Sequence, residues 1–202
     1  MSDTLLGIVS LAIFLVFIFV FGYFIYKFKN ARLTSAWGPL VGLIDGRVTG
    51  DGGGAATSWL SGAYRGRPVV AALSPNLNQH DEGGAKYNYF EVALTELPGR
   101  HDWSVVYAQR VLGMGQSGWQ VKAEDPALAE ALRDVAVPSL VAPFGETPPH
   151  LMRPALEYNR RERALCYRTD ITPRVAPTPE QFTQLLEMLH SAAEINARLN
   201  PA

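Results

Sequence analysis

"ALEYNRRERALCYRTDI", residues 155–171, is the stretch that decides the fold, because it has the pattern of a two-stranded hairpin. Leu156 and Tyr158 flank Glu157 in its first half, and the second half repeats the alternation around Cys166. Such alternation is typical of a strand with one buried face. The polar tip "NRRER" joins the two halves. The stretch therefore predicts two antiparallel strands with an arginine-rich turn at their end.

A helix is predicted on each side of this hairpin. In "APTPEQFTQLLEMLHSAAEINARLN", Thr178 is the N-cap, Pro179 takes the first helical position and Gln181 completes a capping box. In "EDPALAEALRDV", Asp125 is the N-cap and Pro126 takes the first helical position. The apolar stripe of the last helix consists of Phe182, Leu185, Leu186, Leu189 and Ala193.

Five further strands are predicted before the first of these helices. They are separated by breaks rich in Gly, Pro or Asn, and they are Leu43–Val48, Tyr64–Leu73, Tyr87–Leu97, Trp103–Leu112 and Trp119–Ala123. Consecutive strands favour antiparallel pairing over a parallel, Rossmann-like sheet. We expect an α+β fold: an N-terminal transmembrane helix, then a mainly antiparallel sheet with two helices on one face. The predicted divisions are an anchor with its basic flank (1–33), a linker (34–42) and a soluble domain (43–202).

The predicted anchor is an uncharged run of 22 residues from Leu5 to Tyr26. At about 1.5 Å per residue the run is roughly 33 Å long, enough to cross a hydrocarbon core of about 30 Å. A cleaved signal peptide is the alternative, but "MSDT" carries no basic residue and "KFKNARL" stands where a cleavage site belongs. The run predicts an uncleaved single-pass anchor.

Basic residues follow the anchor and none precedes it. The positive-inside rule then predicts an inner-membrane protein with its N-terminus outside and its C-terminal domain in the cytoplasm. The side chains expected at the membrane interface are Tyr23, Tyr26, Lys27, Lys29 and Arg32.

Composition and motifs predict neither nucleic-acid binding nor catalysis. Asp3 aside, 18 acidic and 18 basic residues balance, so no strongly basic face is implied, and the single Cys166 excludes an internal disulfide. "GMGQSG" (113–118) is followed by strand-like "WQVKAED", whereas a dinucleotide site needs a helix there. Cys166 in mid-strand is interpreted as structural. We expect no cofactor and no metal, because the histidines are scattered at His80, His101, His150 and His190.

Two stretches are candidates for structural turns or binding surfaces. "GAYRGRPV" (62–69) predicts a tight turn or bulge with Gly66 at positive φ and Pro68 at a strand edge. Six arginines lie in a 22-residue stretch that contains the hairpin: Arg153, Arg160, Arg161, Arg163, Arg168 and Arg174. They indicate either a solvated hairpin or a docking patch for an acidic partner or anionic headgroups.

Aromatic residues in the predicted anchor suggest a second docking surface. Phe14, Phe17 and Phe21 are interpreted either as lipid-facing bulk or as contacts with other transmembrane helices or embedded pigments. No ionisable residue lies inside the run, which argues against a haem ligand or an ion path there. The candidate docking residues are Phe14, Phe17, Phe21, Arg160, Arg161 and Arg163.

The anchor, "GAYRGRPV", "WQVKAEDPALAEAL" and "PTPEQFTQLLEMLHSAAEIN" together resemble uncharacterised bacterial single-pass membrane proteins with a small α+β domain. The resemblance implies this architecture and no activity. The pattern as a whole predicts a non-catalytic accessory or scaffold subunit of a larger membrane complex, such as an energy-transducing or transport assembly, with an integral membrane protein as partner. The alternatives are a membrane-tethered sensor that binds a ligand or lipid, and an enzyme with an unrecognised site.

Overall fold

The computed structural model describes residues 11, 13–24, 27, 37–50, 58–75, 88–108, 118–144, 155–171 and 177–202. Within these residues the chain forms eight strands and two long helices, in the order β1 (Arg47–Gly50), β2 (Ser58–Tyr64), β3 (Arg67–Pro75), β4 (Asn88–Leu94), β5 (Trp103–Ala108), β6 (Gly118–Lys122), α1 (Pro126–Phe144), β7 (Leu156–Asn159), β8 (Ala164–Ile171) and α2 (Pro179–Leu199).

The described strands form one antiparallel sheet with the spatial order β1-β2-β3-β4-β8-β7-β5-β6. The predicted hairpin is confirmed: Leu156 pairs with Tyr167, and Asn159 pairs with Ala164. It lies in the middle of the sheet, between β4 and β5. The expectation of an α+β fold with an antiparallel sheet is therefore confirmed.

The strands differ from the prediction in two ways: some boundaries shift, as at β3, which begins at Arg67 rather than Tyr64, and one strand was not predicted. The strand predicted from Leu43 begins at Arg47, because residues 42–45 form a turn in which Asp45 has a φ of 45°. The second difference is β2, which the sequence did not predict. Its letters, "SWLSGAY", alternate poorly and contain a glycine. That strand is fixed by pairing with β3, over seven residue pairs from Ser58↔Leu73 to Tyr64↔Arg67.

Pro68 is the second residue of β3, which is an interior strand of the sheet. It pairs with Ala63 of β2. The missing N–H is tolerated because the ladder with β4 begins one residue later, at Val69↔Leu94. Beyond that point Pro68 contributes its carbonyl, which accepts a hydrogen bond from the Thr95 N–H at 3.1 Å.

The two helices and alternate residues of the strands enclose one apolar core. The predicted capping box of α2 is confirmed: the Gln181 N–H donates to the Thr178 hydroxyl, and the Thr178 N–H donates to the Gln181 side chain. At the start of α1 the Ala127 N–H donates to Asp125 at 2.8 Å. The predicted stripe of α2 is buried, with Leu186 fully inaccessible. The largest buried core side chains are Trp37, Phe90, Tyr158, Tyr167 and Phe182.

Helix α1 is longer than its sequence predicts. The predicted stretch ends at Val135, and Pro138 follows it; proline in a helix interior removes a hydrogen bond. The helix nevertheless continues to Phe144. Its apolar face also continues, since Leu132 and Leu140 are both buried. Burial of that face outweighs the local preference of proline.

The core already includes residues of the predicted linker. Residues 37–41 are helical, and Trp37 and Leu40 are fully buried. The Trp37 ring stacks on Phe90, with ring centroids 6.2 Å apart. The chain thus enters the core beside the start of β4. The domain boundary at residue 43 stays a prediction.

Residues 13–24 are helical and carry exposed apolar side chains. Within the described part of the chain, no helix has both the length and the apolar character needed to cross a bilayer. The predicted span from Leu5 to Tyr26 includes residues outside that part.

Candidate functional site

The candidate site lies at the end of the sheet that carries the turns β2–β3 and β7–β8. The second of these, Arg160–Arg163, is called the arginine turn below. Its four side chains are exposed. The Asn159 side chain accepts hydrogen bonds from the N–H groups of Arg161 (2.9 Å) and Glu162 (3.4 Å), which is the usual role of asparagine in a turn. The predicted docking arginines therefore share one turn.

The loop of residues 96–102 supports the arginine turn from below. The Arg160 N–H donates to Asp102 Oδ1 at 2.7 Å, and the Leu97 N–H donates to the Arg163 carbonyl at 2.9 Å. The two guanidinium contacts from the turn go to backbone oxygens: Arg160 reaches the carbonyl of Arg100 (3.4 Å), and Arg163 reaches that of Glu96 (3.5 Å). Backbone contacts thus fix the turn, and most guanidinium N–H groups are left for other acceptors.

Two buried asparagines at the end of α2 hold this loop, and they are called the asparagine clamp below. Asn196 is 1% exposed; its Oδ1 accepts from Trp103 Nε1 at 2.7 Å, and its Nδ2 donates to the Pro98 carbonyl at 2.9 Å. Asn200 is 3% exposed, and its Oδ1 accepts from the His101 N–H at 2.9 Å. Its Nδ2 donates to the His101 carbonyl at 2.8 Å and to Asn196 at 2.9 Å.

Tyr158 completes the support from the sheet. Its hydroxyl donates to the Leu97 carbonyl at 3.1 Å, and burial raises the pKa of that hydroxyl. Gly99 lies against its ring, so that a Cβ at position 99 would come within 2.6 Å of the hydroxyl oxygen. The loop can therefore follow this path only with glycine there. The sequence did not predict this support, although two asparagines four residues apart at the end of an apolar stripe were a visible signal.

A cavity of about 310 Å³ adjoins the loop. His101 Nδ1 lies 2.7 Å from Glu124 Oε2 at its rim, so His101 pairs with Glu124 rather than with its neighbour Asp102. Leu128 and Leu199 give it an apolar part. The full lining is Arg100, His101, Glu124, Asp125, Leu128, Leu199, Asn200 and Pro201. Its volume is at the lower end of the range for ligand sites, about 300–1,000 Å³.

The β2–β3 turn has a different arrangement. Arg65 and Gly66 have φ angles of 48° and 77°, so the predicted tight turn with Gly66 at positive φ is confirmed. Arg65 pairs with Glu187 of α2 at 2.6 Å, and Arg67 pairs with Glu194. The hydrogen bond from Arg67 lowers the pKa of Glu194. We call residues Arg65–Gly66 the Arg65 turn.

Tyr64 reinforces that attachment. Its hydroxyl donates to Glu187 at 2.6 Å, and burial, with this hydrogen bond, raises the pKa of Tyr64. The ring of His190 meets the Tyr64 ring edge-on, with centroids 6.3 Å apart. The Arg65 turn is thereby fastened to α2.

Of the other predicted arginines the structure describes Arg168, which does not join the arginine turn. Arg168 points into an ion-pair cluster on the sheet, with its Nε 2.9 Å from Glu91 and its Nη1 2.8 Å from Glu157. Arg153 and Arg174 lie outside the described residues.

Cys166 is buried, and desolvation raises the pKa of its thiol to about 12. A thiolate is therefore strongly disfavoured there, as expected of a structural cysteine. Among the residues that the structure describes, no three His, Cys, Asp or Glu side chains form a group that could hold a metal. His80, His150 and the "GMGQSG" loop up to residue 117 are outside that part of the chain.

The N-terminal candidates are only partly described. Phe14, Phe17, Phe21 and Tyr23 lie in the helical residues 13–24 and are 57–64% exposed. Phe17 and Phe21 stack with ring centroids 5.9 Å apart. Lys27 is helical and exposed, and the other predicted interface residues lie outside the described part: Tyr26, Lys29 and Arg32.

Comparison of the chain with protein-family models, with curated proteins and with solved structures found no match.

Proposed function

We propose that the protein is a non-catalytic, membrane-anchored accessory or scaffold subunit. Its N-terminal helix is held in the inner membrane beside an integral membrane partner, and its domain docks on that complex from the cytoplasmic side through the arginine turn.

The exposure of the N-terminal side chains carries this proposal. The apolar residues at positions 13–21 are each 48–81% exposed, and they lie on every side of the helix. A helix that is apolar all round is stable when buried in protein or lipid, and unfavourable in water. Together with the uncharged run from Leu5 to Tyr26, this favours a membrane location. The basic residues at 27, 29 and 32 favour a cytoplasmic domain.

Swapping each candidate surface separately tests the proposal. Replacing residues 5–26 by an unrelated polyleucine span should keep the protein in the membrane and release it from its complex, because packing along a helix depends on side-chain shape. Replacing Arg160, Arg161 and Arg163 by Ser should weaken association modestly, since exposed ion pairs contribute under about 1 kcal/mol each. Co-purification after mild detergent extraction measures both effects. Extraction of the unmodified chain by alkaline carbonate, without detergent, would contradict the anchor itself.

A ligand-binding sensor is the second candidate, favoured by the cavity beside His101. Native mass spectrometry of the detergent-extracted chain separates the two proposals. A small molecule retained at one copy per chain would favour the sensor, whereas co-purifying subunits without such a molecule favour the accessory subunit.

A further inference from the structure

We infer that the arginine turn binds an acidic protein segment that carries one large apolar side chain, rather than the headgroup layer of the membrane. The inference rests on the proposed docking function and names the partner's chemistry. Three features carry it: the place where the chain enters the domain, the mixed charge around the turn, and the cavity next to it.

The arginine turn lies away from the point where the chain enters the core. Trp37 stacks on Phe90, near the start of β4. The turn contacts Leu97, beyond the end of the same strand at Leu94. Phe90 and Leu94 are four steps apart along the strand, which at about 3.3 Å per step is about 13 Å. Trp37 thus packs toward the half of β4 away from the turn, which favours an aqueous partner for the turn.

The charges around the turn are mixed. Arg100, Arg160, Arg161 and Arg163 lie among Glu96, Asp102 and Glu162, so the local net charge is +1. Headgroup binding typically uses clusters of about 4–8 basic residues with no such compensation. A folded or peptide partner can instead place single carboxylates on single guanidinium groups, which bind carboxylates with two parallel hydrogen bonds. The absence of lysine among these cations is consistent with that geometry.

The cavity adds a place for an apolar side chain. Arg100 connects the two parts of the surface, since its carbonyl accepts from Arg160 and the residue also lines the cavity. Leu128, Leu199 and Pro201 provide apolar contact inside, and Glu124 and Asp125 at the same cavity disfavour a second carboxylate there. The fitting segment therefore presents carboxylates to the turn and one apolar side chain to the cavity.

Fluorescence anisotropy with a dye-labelled heptapeptide of six glutamates around a central leucine tests the inference. The full chain is used in detergent micelles. We expect salt-sensitive binding that falls about tenfold in the variant R160S/R161S/R163S, because three charge pairs are lost together. The matched control is R47S/R65S/R133S, which removes three exposed charges outside this surface and should change the affinity less than about twofold. Thermal melts establish that both variants are folded.

Replacing the peptide's central leucine by serine tests the cavity and should weaken binding to the unmodified chain about threefold or more. Equal losses in the two triple variants, or no binding by the unmodified chain, would overturn the inference. So would equal affinity for the leucine and serine peptides.

The membrane alternative has its own readout. The variant Glu162→Cys, in a Cys166→Ala background, carries an environment-sensitive dye, and the chain is reconstituted in phosphatidylcholine vesicles with and without phosphatidylserine. We expect no dye response to phosphatidylserine; a response, together with displacement of the peptide, would assign the turn to the headgroups. Retention in the membrane after alkaline extraction, combined with no peptide binding, would overturn this inference and leave the anchored-subunit proposal intact.

Discussion

The Arg65 turn and the arginine turn lie at the same end of the sheet and place an arginine in the left-handed backbone region, with φ angles of 48° at Arg65 and 51° at Arg163. Their side chains have different partners. Arg65 pairs with a carboxylate of α2, whereas Arg163 contacts only a backbone carbonyl among the contacts of the described residues. The same residue type in the same backbone conformation thus fastens the fold in one turn and stays available in the other.

The substitution with the largest expected effect disrupts helix α2, which supports both turns. Leu186 is fully buried on the face of α2 toward the sheet, so Leu186→Asp places an unpaired charge in the core. We expect a loss of more than about 4 kcal/mol and failure to fold. Circular-dichroism melts measure it, with Gln184→Asp as the matched control on the exposed face of the same helix. A melt that matches the control would mean that the assigned helix face is wrong.

A selective change should loosen the arginine turn alone. Asn196→Ala leaves the Trp103 Nε1–H and the Pro98 carbonyl without their buried partner, at a cost of about 2–4 kcal/mol. Amide hydrogen exchange should rise in residues 96–102 and 160–163, and stay unchanged at the Arg65 turn. Exposed Arg198→Ala is the control. Equal loss of protection in both turns would show that the asparagine clamp supports the whole domain.

As pH rises, the region of the arginine turn should lose stability before the region of the Arg65 turn. The Cys166 thiol, on the strand after the arginine turn, has its pKa raised from 9.0 to about 12, so the unfolded chain loses this proton first. Stability is therefore complete below pH 9 and falls as pH rises toward 12, by about 1.4 kcal/mol at pH 10. Tyr64 beside the Arg65 turn, with its pKa raised above 10.0, contributes only later.

Urea unfolding between pH 8 and pH 11 checks this order. Cys166→Ala should delay the onset of destabilisation by about one pH unit, while Tyr64→Phe should leave the onset unchanged. An onset near pH 9 that persists in Cys166→Ala would contradict the assignment.

The smallest effects are expected when the left-handed arginine of each turn is replaced by glycine. Left-handed backbone costs a side chain about 1 kcal/mol or more, and glycine avoids this cost while making the unfolded chain more flexible. Arg163→Gly should therefore be neutral to about 1 kcal/mol more stable. Arg65→Gly should stabilise the fold by about 0.5 kcal/mol less than Arg163→Gly does, because the pair between Arg65 and Glu187 is lost. Calorimetric melts that rank the variants in the opposite order would remove the distinction between the turns.

Local signals account for the parts of the fold that the sequence predicted. The capping box at Thr178 and Gln181 and the hairpin tip are each formed by residues a few positions apart, so short patterns suffice to find them. Pairing between distant segments explains the misses. β2 is fixed by β3, and the extension of α1 past Pro138 depends on burial of Leu140.

The candidate site was predictable only in part, for the same reason. The arginines of the turn are adjacent in sequence and were found. The cavity brings together residues near 100, 125 and 200, and the asparagine clamp joins positions about a hundred residues apart. No periodicity or motif connects such positions, because the fold alone makes them neighbours.

The central position of the C-terminal hairpin has a consequence for biosynthesis. β4 and β5 are neighbours in sequence, yet they are joined only through β7 and β8, which the ribosome completes much later. Until residue 171 has emerged, both strands present unpaired edges, and such edges promote association between nascent chains. The last part of the chain to be made thus closes the sheet. Until then the nascent protein is prone to aggregation, so its solubility depends on complete translation.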